Sequence, residues 1–276
     1  SWGGGGAEYH NDDLVSLIKA IDFVSLHTYP FHETHYAPEF WGGREDEAGR
    51  SPLERANAAM QRAQAQAVAQ YQSTVDYIRT LGIEKPIHIG ETGWASISGA
   101  SFGADGSQAA DEYKAKLFYD GMREWTNSAG MSCFYFEAFD ECWKDLGNPN
   151  GAENHFGLFT LDGQAKYALW EQVDAGVFDG LTRGGKAIHK TFGGDEAALQ
   201  ASLLPVPLLS EMGSLLLTTV YSERQAGQPV TQRRYIVVHQ SLMPAPDNDM
   251  TYPSAKIKLN TWEGTCSMEM SKEGII

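Results

Sequence analysis

The sequence predicts an α/β fold made of parallel β/α units, with the start of a β-rich module behind them. Three observations carry that reading. Short apolar runs alternate with helix-period segments over residues 1–180. The run Pro86-Ile87-His88-Ile89-Gly90 delivers Glu91 to its own C-terminal tip, the end at which a β/α barrel keeps its active site. From about residue 185 the texture changes to Leu203-Leu204-Pro205-Val206-Pro207, followed by strand-like Tyr235-Ile236-Val237-Val238 and Ala255-Lys256-Ile257-Lys258-Leu259.

Taken in order, Asn11-Asp12-Asp13 offers capping chemistry ahead of Leu14, Leu17, Ile18 and Ile21, which share one helical face. Phe23 to Thr28 reads as a buried strand ending at Tyr29-Pro30, and a loop rich in His, Glu, Gly and Pro runs on to about Pro52. A long Ala/Gln-rich helix follows to Leu81, with Gly82 as its stop. After the Glu91 strand come a Gly/Ser loop from Ser96 to Gly106 and a helix with Tyr113, Leu117, Met122 and Trp125 on one side. Cys133 to Phe139 is the third strand, by its strong β and aromatic character, and a loop then leads through Phe156-Gly157-Leu158-Phe159 to a helix around Tyr167 and Trp170. Three strands cannot close a barrel that needs eight in about 250 residues. The expectation is a fragment cut at both ends, with residues 1–184 as the barrel part and residues 185–276 as a linker and a partial β-rich module.

Composition narrows the function classes. The 276 residues carry a formal net charge of −15, which disfavours nucleic acid and anionic membrane and suits a neutral polysaccharide. Cys133, Cys142 and Cys266 form no C-x-x-C pair, so neither a disulfide framework nor a zinc site is indicated. No apolar run reaches the eighteen residues of a membrane span. The chain opens on Ser1-Trp2-Gly3 without an initiator Met, and an N-terminal segment is expected to precede it.

Four motifs make the reading specific. Gly90-Glu91-Thr92-Gly93-Trp94 resembles the nucleophile motif of glycoside hydrolase family 17, the β-1,3-glucanases. Phe136-Glu137-Ala138-Phe139-Asp140-Glu141-Cys142-Trp143-Lys144 is similar to the eighth-strand motif of that family, and Glu153-Asn154-His155-Phe156-Gly157-Leu158-Phe159 to the segment behind it. Asp22-Phe23-Val24-Ser25-Leu26-His27-Thr28-Tyr29-Pro30 resembles the strand that presents a substrate-facing Tyr-Pro. Four motifs in order over roughly residues 20–180 are far more specific than one.

The resemblance implies the C-terminal half of a (β/α)8 TIM barrel and a retaining glucanase acting on laminarin-like β-1,3-glucan, as polysaccharide or oligosaccharide, without a cofactor. It implies Glu91 as nucleophile and Glu141, Lys144 and Glu153 as a charged network around it. Tyr29, Trp94, His27, Phe139 and Glu137 would line the substrate subsites. The sequence departs from the commonest pattern of the family at His27, where asparagine is usual, and at Glu137, where a small residue is usual. Residues beyond about 190 are similar to C-terminal extensions of marine-bacterial members. The substrate is a polymer, so a secreted, periplasmic or cell-surface location is expected.

The residues themselves support that chemistry. Period two along the third strand puts Tyr135, Glu137, Phe139 and Glu141 on one side, and Lys144 just beyond is a natural counter-charge that would hold the carboxylates ionised. His27, His32 and His35 lie close together in sequence but lack a matching carboxylate pattern, so no metal site is read there. Retention needs a second carboxyl group about 5 Å from the first. The family carries it in an Asn-Glu motif, and no such dipeptide occurs in this chain; Glu8, Glu33 and Glu39 have no matching context. Little activity is therefore expected of these 276 residues alone. A β-1,3-glucanosyltransferase and a non-catalytic glucan-binding protein are the alternatives.

Overall fold

The computed structural model describes residues 11–99 and 101–212, and the strand backbone of 214–225, 228–239, 256–261, 264–271 and 274–275. It forms two compact units, Ser1–Glu211 and Met212–Ile276.

In the first unit the leading helix α1 (Asp12–Ala20) starts where Asn11 accepts a hydrogen bond from the Leu14 amide at 2.8 Å. Strand β1 (Val24–His27) follows, and then α2 (Pro30–Tyr36) occupies part of the stretch expected to be loop. Pro30 suits the first helical turn, where its missing N–H costs nothing, and Phe31, Thr34 and His35 turn inward. The long helix α3 (Pro52–Thr80) opens with a reciprocal Ser51–Glu54 capping box and ends at Gly82, whose φ of 67° a glycine adopts without strain. Its Ala56, Ala59, Ala63 and Ala67 are fully buried at helical spacing. Such a small-residue stripe lets α3 pack closely against its neighbours.

Strand β2 (Ile87–Thr92), helix α4 (Glu112–Ser128) and strand β3 (Cys133–Tyr135) complete the layer. The strands lie in the order β1-β2-β3, all parallel, with α3 and α4 in the crossovers. The alternation read from the sequence is therefore present, but β3 is shorter than the expected Cys133–Phe139. The backbone hydrogen bonds explain the difference. Phe136 N–H still reaches Thr92 O on β2 at 2.7 Å, whereas Glu137 N–H turns to Phe156 O at 3.2 Å and Leu158 N–H to Glu137 O at 2.8 Å. The chain changes partner at residue 136, exchanging β2 for the 156–159 segment.

Beyond lie a short helix α5 (Trp170–Asp174), a two-residue hairpin of β4 (Thr182–Arg183) and β5 (Lys186–Ala187), α6 (Glu196–Ala201) and α7 (Leu209–Met212). Residues 186–209, where the composition changes, belong to the first unit and pack within it. Gly43 N–H donates to Pro207 O at 2.9 Å, Leu209 N–H to Gly43 O at 2.8 Å, and the fully buried Lys114 Nζ to Leu204 O at 2.6 Å. In the second unit β6 (Ser214–Gln225) pairs antiparallel with β7 (Gln228–His239), and β8 (Lys256–Thr261), β9 (Gly264–Ser271) and β10 (Gly274–Ile275) form an antiparallel sheet. These strands take in the run 235–238 and residues 256–259 of the second run, whose Ala255 lies outside the described residues.

Candidate active site

The site gathers at the C-terminal ends of the three parallel strands. Two glycines bracket Glu91 and let the neighbouring strands close in. A Cβ on Gly90 would fall 1.8 Å from Ser25 Oγ on β1, and one on Gly93 would fall 2.1 Å from Phe136 O. Thr28 N–H donates to Glu91 O at 3.0 Å, and Thr92 Oγ1 donates to Thr28 O at 2.7 Å, which locks the two strand tips together.

Tyr29 is the next residue, and that lock places its side chain. Its hydroxyl donates to Glu91 Oε1 at 2.6 Å. Burial, reinforced by the Glu91 carboxylate, pushes the phenol far above its ordinary range, so it stays a neutral donor. His27 Nδ1 stands 3.8 Å from the other carboxylate oxygen, Oε2. Glu91 is partly exposed, with one oxygen held by the Tyr29 hydrogen bond and the other beside His27.

The second group lies past the end of β3. Lys144 Nζ reaches Glu141 Oε2 at 3.2 Å and Glu137 Oε2 at 3.6 Å, and it sits over the Phe136 ring at 3.7 Å. Glu137 and Glu141 do share one place, as period two along the strand suggests. The expectation that Lys144 keeps both ionised fails at Glu137, whose carboxyl is pushed up to about 7. Burial is the largest cause, and a hydrogen bond with Glu141 adds to it. The shared lysine offsets only part of the total.

Glu153 joins from the following segment by way of His32 on α2, whose Nε2 lies 3.3 Å from Glu153 Oε1. The His32 contact holds the Glu153 carboxyl below its ordinary value, and Lys144 adds to the effect. His32 was considered in the sequence only as part of a metal cluster, and here its ring nitrogen meets the Glu153 carboxylate. His35 instead packs edge-on against Tyr36. Nothing local in the sequence joins His32 to Glu153, because the contact depends on how α2 and the 153–159 segment meet around Phe156.

Beneath the site lies a buried ion pair that sequence reasoning missed. Lys166 Nζ contacts Asp140 Oδ1 at 2.6 Å and Ser96 Oγ at 2.7 Å, and Asp140 also accepts from Gly157 N–H at 3.0 Å. Asp140 lies in the motif next to Glu141, which was the available signal. This pair ties the 156–159 segment under the strand ends.

Two expected subsite residues are corrected. Trp94 is 1% exposed, packs against Phe31, Trp41 and Phe118, and donates its indole N–H to Ala109 O at 2.8 Å. It is core, because a backbone carbonyl satisfies its polar edge and leaves no face for a sugar. Phe139 stacks on Phe159 at 5.1 Å and carries the Arg183 guanidinium over its ring at 3.8 Å, so protein groups take its faces. Tyr29, His27 and Glu137 do lie at the strand ends with the charged groups.

Comparison with known proteins agrees with this arrangement. Residues 63–170 match the model of glycosyl hydrolases family 17. A solved endo-laminarinase from Formosa Hel1_33_131 is 59% identical with a TM-score of 0.73, covering 75% of this chain and 53% of its own. A glucan 1,3-beta-glucosidase of Arthroderma benhamiae is 40% identical over 88 residues, 29% of this chain and 27% of that protein. One of Candida albicans is 33% identical over 85 residues, 25% of its length. The chain thus spans about half the laminarinase and about a quarter of each fungal relative. The fold these neighbours support is a TIM barrel.

Proposed function

We propose that this chain, which carries a glycosyl hydrolase family 17 segment, belongs to an enzyme that cleaves β-1,3-glucan with retention of configuration. The observation that carries the proposal is the Tyr29–Glu91 hydrogen bond of 2.6 Å at the C-terminal end of a parallel strand. A partly exposed carboxylate with one oxygen fixed by a hydrogen bond is suited to attack an anomeric carbon. In that reading Glu91 forms the glycosyl-enzyme and water later releases the sugar. Tyr29 aims the nucleophile, while Lys144 with Glu137, Glu141 and Glu153 lines the neighbouring wall. The glutamate that protonates the leaving oxygen is not among the residues gathered here.

The β1-β2-β3 layer is read as the C-terminal half of a (β/α)8 barrel, with a β-rich module behind it. Supporting this are the parallel register, the helical crossovers and the 53% coverage of the laminarinase chain. A polymeric substrate favours a secreted, periplasmic or cell-surface location. Following laminarin cleavage by proton NMR tests the mechanism, using the protein that carries this segment. The β-anomer is expected to form first and then to mutarotate. Initial release of the α-anomer would overturn retention, and absence of cleavage would overturn the activity.

A further inference from the structure

We propose that Trp143 forms the wall of a sugar subsite, an indole face on which a glucose ring of a β-1,3-glucan chain stacks. The inference rests on the reading of the site as a glucanase and names a binding residue that the reading itself leaves unused.

Trp143 is 62% exposed, the most exposed tryptophan among the described residues. The buried ones have their polar edges satisfied inside: Trp41 donates to Ser107 O, Trp94 to Ala109 O and Trp170 to Thr191 Oγ1. Trp143 instead stands exposed beside the Glu141–Lys144 pair, whose charged ends meet at 3.2 Å, and the Lys144 Nζ lies 5.8 Å from its ring centroid, over one face. An indole left in solvent beside a catalytic cluster costs apolar hydration unless a ligand covers it.

The loop that carries it is held firmly. Asn154 is 3% exposed, and its side chain accepts from Asp145 N–H at 2.9 Å and donates to Asp145 O at 3.1 Å and Asn148 O at 3.2 Å. Glu141 N–H donates to Asn154 O at 3.1 Å, and Gly99 N–H to Asn150 O at 2.8 Å. These bonds order the turn before any ligand arrives, so little conformational entropy remains to be lost on binding.

The chemistry selects the occupant. A β-linked glucose ring presents axial C–H groups on its faces and hydroxyls at its edge. An indole covers the face, and the Glu141 carboxylate, which shares Lys144 with it, accepts from the hydroxyls. A neutral glucan meets no repulsion from a chain of net charge −15.

The test measures laminarin affinity by calorimetry in the Glu91→Gln background, which keeps the polymer intact. Adding Trp143→Ala should weaken binding about tenfold, and Trp143→Phe should recover most of the loss. Laminarin binding that is unchanged in Trp143→Ala would overturn the subsite and leave the glucanase reading standing. A Glu91→Gln protein that does not bind laminarin at all would overturn both.

Discussion

At the end of β2, Glu91 keeps contact with solvent and takes one short hydrogen bond from a neutral tyrosine. Past the end of β3, Glu137 is only 13% exposed, and its partner is a lysine 3.6 Å away. Intuition assigns the firmer negative charge to the carboxylate with the cation. At Glu137 the balance runs the other way, because burial removes hydration that a lysine shared with Glu141 does not replace. Asp140 supplies the third case: it is equally enclosed, but Lys166 approaches to 2.6 Å and Gly157 N–H adds a second donor. The lesson is that a cation shared between two carboxylates does not by itself compensate for burial.

Four substitutions sharpen or break this comparison. The largest effect belongs to Glu91→Gln, expected to lower kcat on laminarin by about 10³-fold or more in the protein that carries this segment, while leaving the melting temperature near wild type. Next is Lys166→Met, which strands the buried Asp140 charge and should cost about 3–5 kcal/mol in denaturant unfolding. An equally stable variant would mean that Asp140 is neutral or solvated. Tyr29→Phe removes a hydrogen bond to a charged group, and kcat/KM should drop about 10- to 100-fold with the fold intact.

The smallest change is Glu137→Gln, and it depends on pH. The folded protein holds the Glu137 proton up to about pH 7, against an ordinary value of 4.5. It therefore binds more protons than the unfolded chain inside that window, and stability falls as pH rises through it. Glutamine cannot ionise, so the variant should match wild type near pH 4 and exceed it at pH 8 by on the order of 1–3 kcal/mol. Thermal melts at the two pH values decide the matter, and equal melting temperatures at pH 8 would refute the buried-acid account.

Much of the frame was legible in the chain. Strand β2 and its terminal Glu91 follow from an apolar run ended by glycines, and α3 from its Ala/Gln-rich composition and the Gly82 stop. Glu137 and Glu141 were paired for a reason that only partly held. The regular strand stops at Tyr135, yet the 156–159 segment keeps the following residues extended enough to bring both acids to Lys144. Trp94 was misread because an aromatic beside a catalytic acid looks the same in sequence whether its indole faces a sugar or the core. His32–Glu153 and Asp140–Lys166 were invisible, since each joins elements whose meeting is set by packing around Phe156 and Gly157. A Cβ on Gly157 would lie 2.1 Å from Asp140 N, which shows how close that approach is.

The most direct test of the central claim is covalent trapping. A 2-deoxy-2-fluoro laminaribioside with an activated aryl leaving group needs no acid assistance to glycosylate the nucleophile, and its fluorine slows release. Peptide mass spectrometry should find the fluoroglycosyl group on Glu91, with no adduct in Glu91→Gln. An adduct on Glu137, Glu141 or Glu153 would contradict the assignment of the nucleophile. A protein that hydrolyses laminarin but is never labelled would contradict the covalent mechanism.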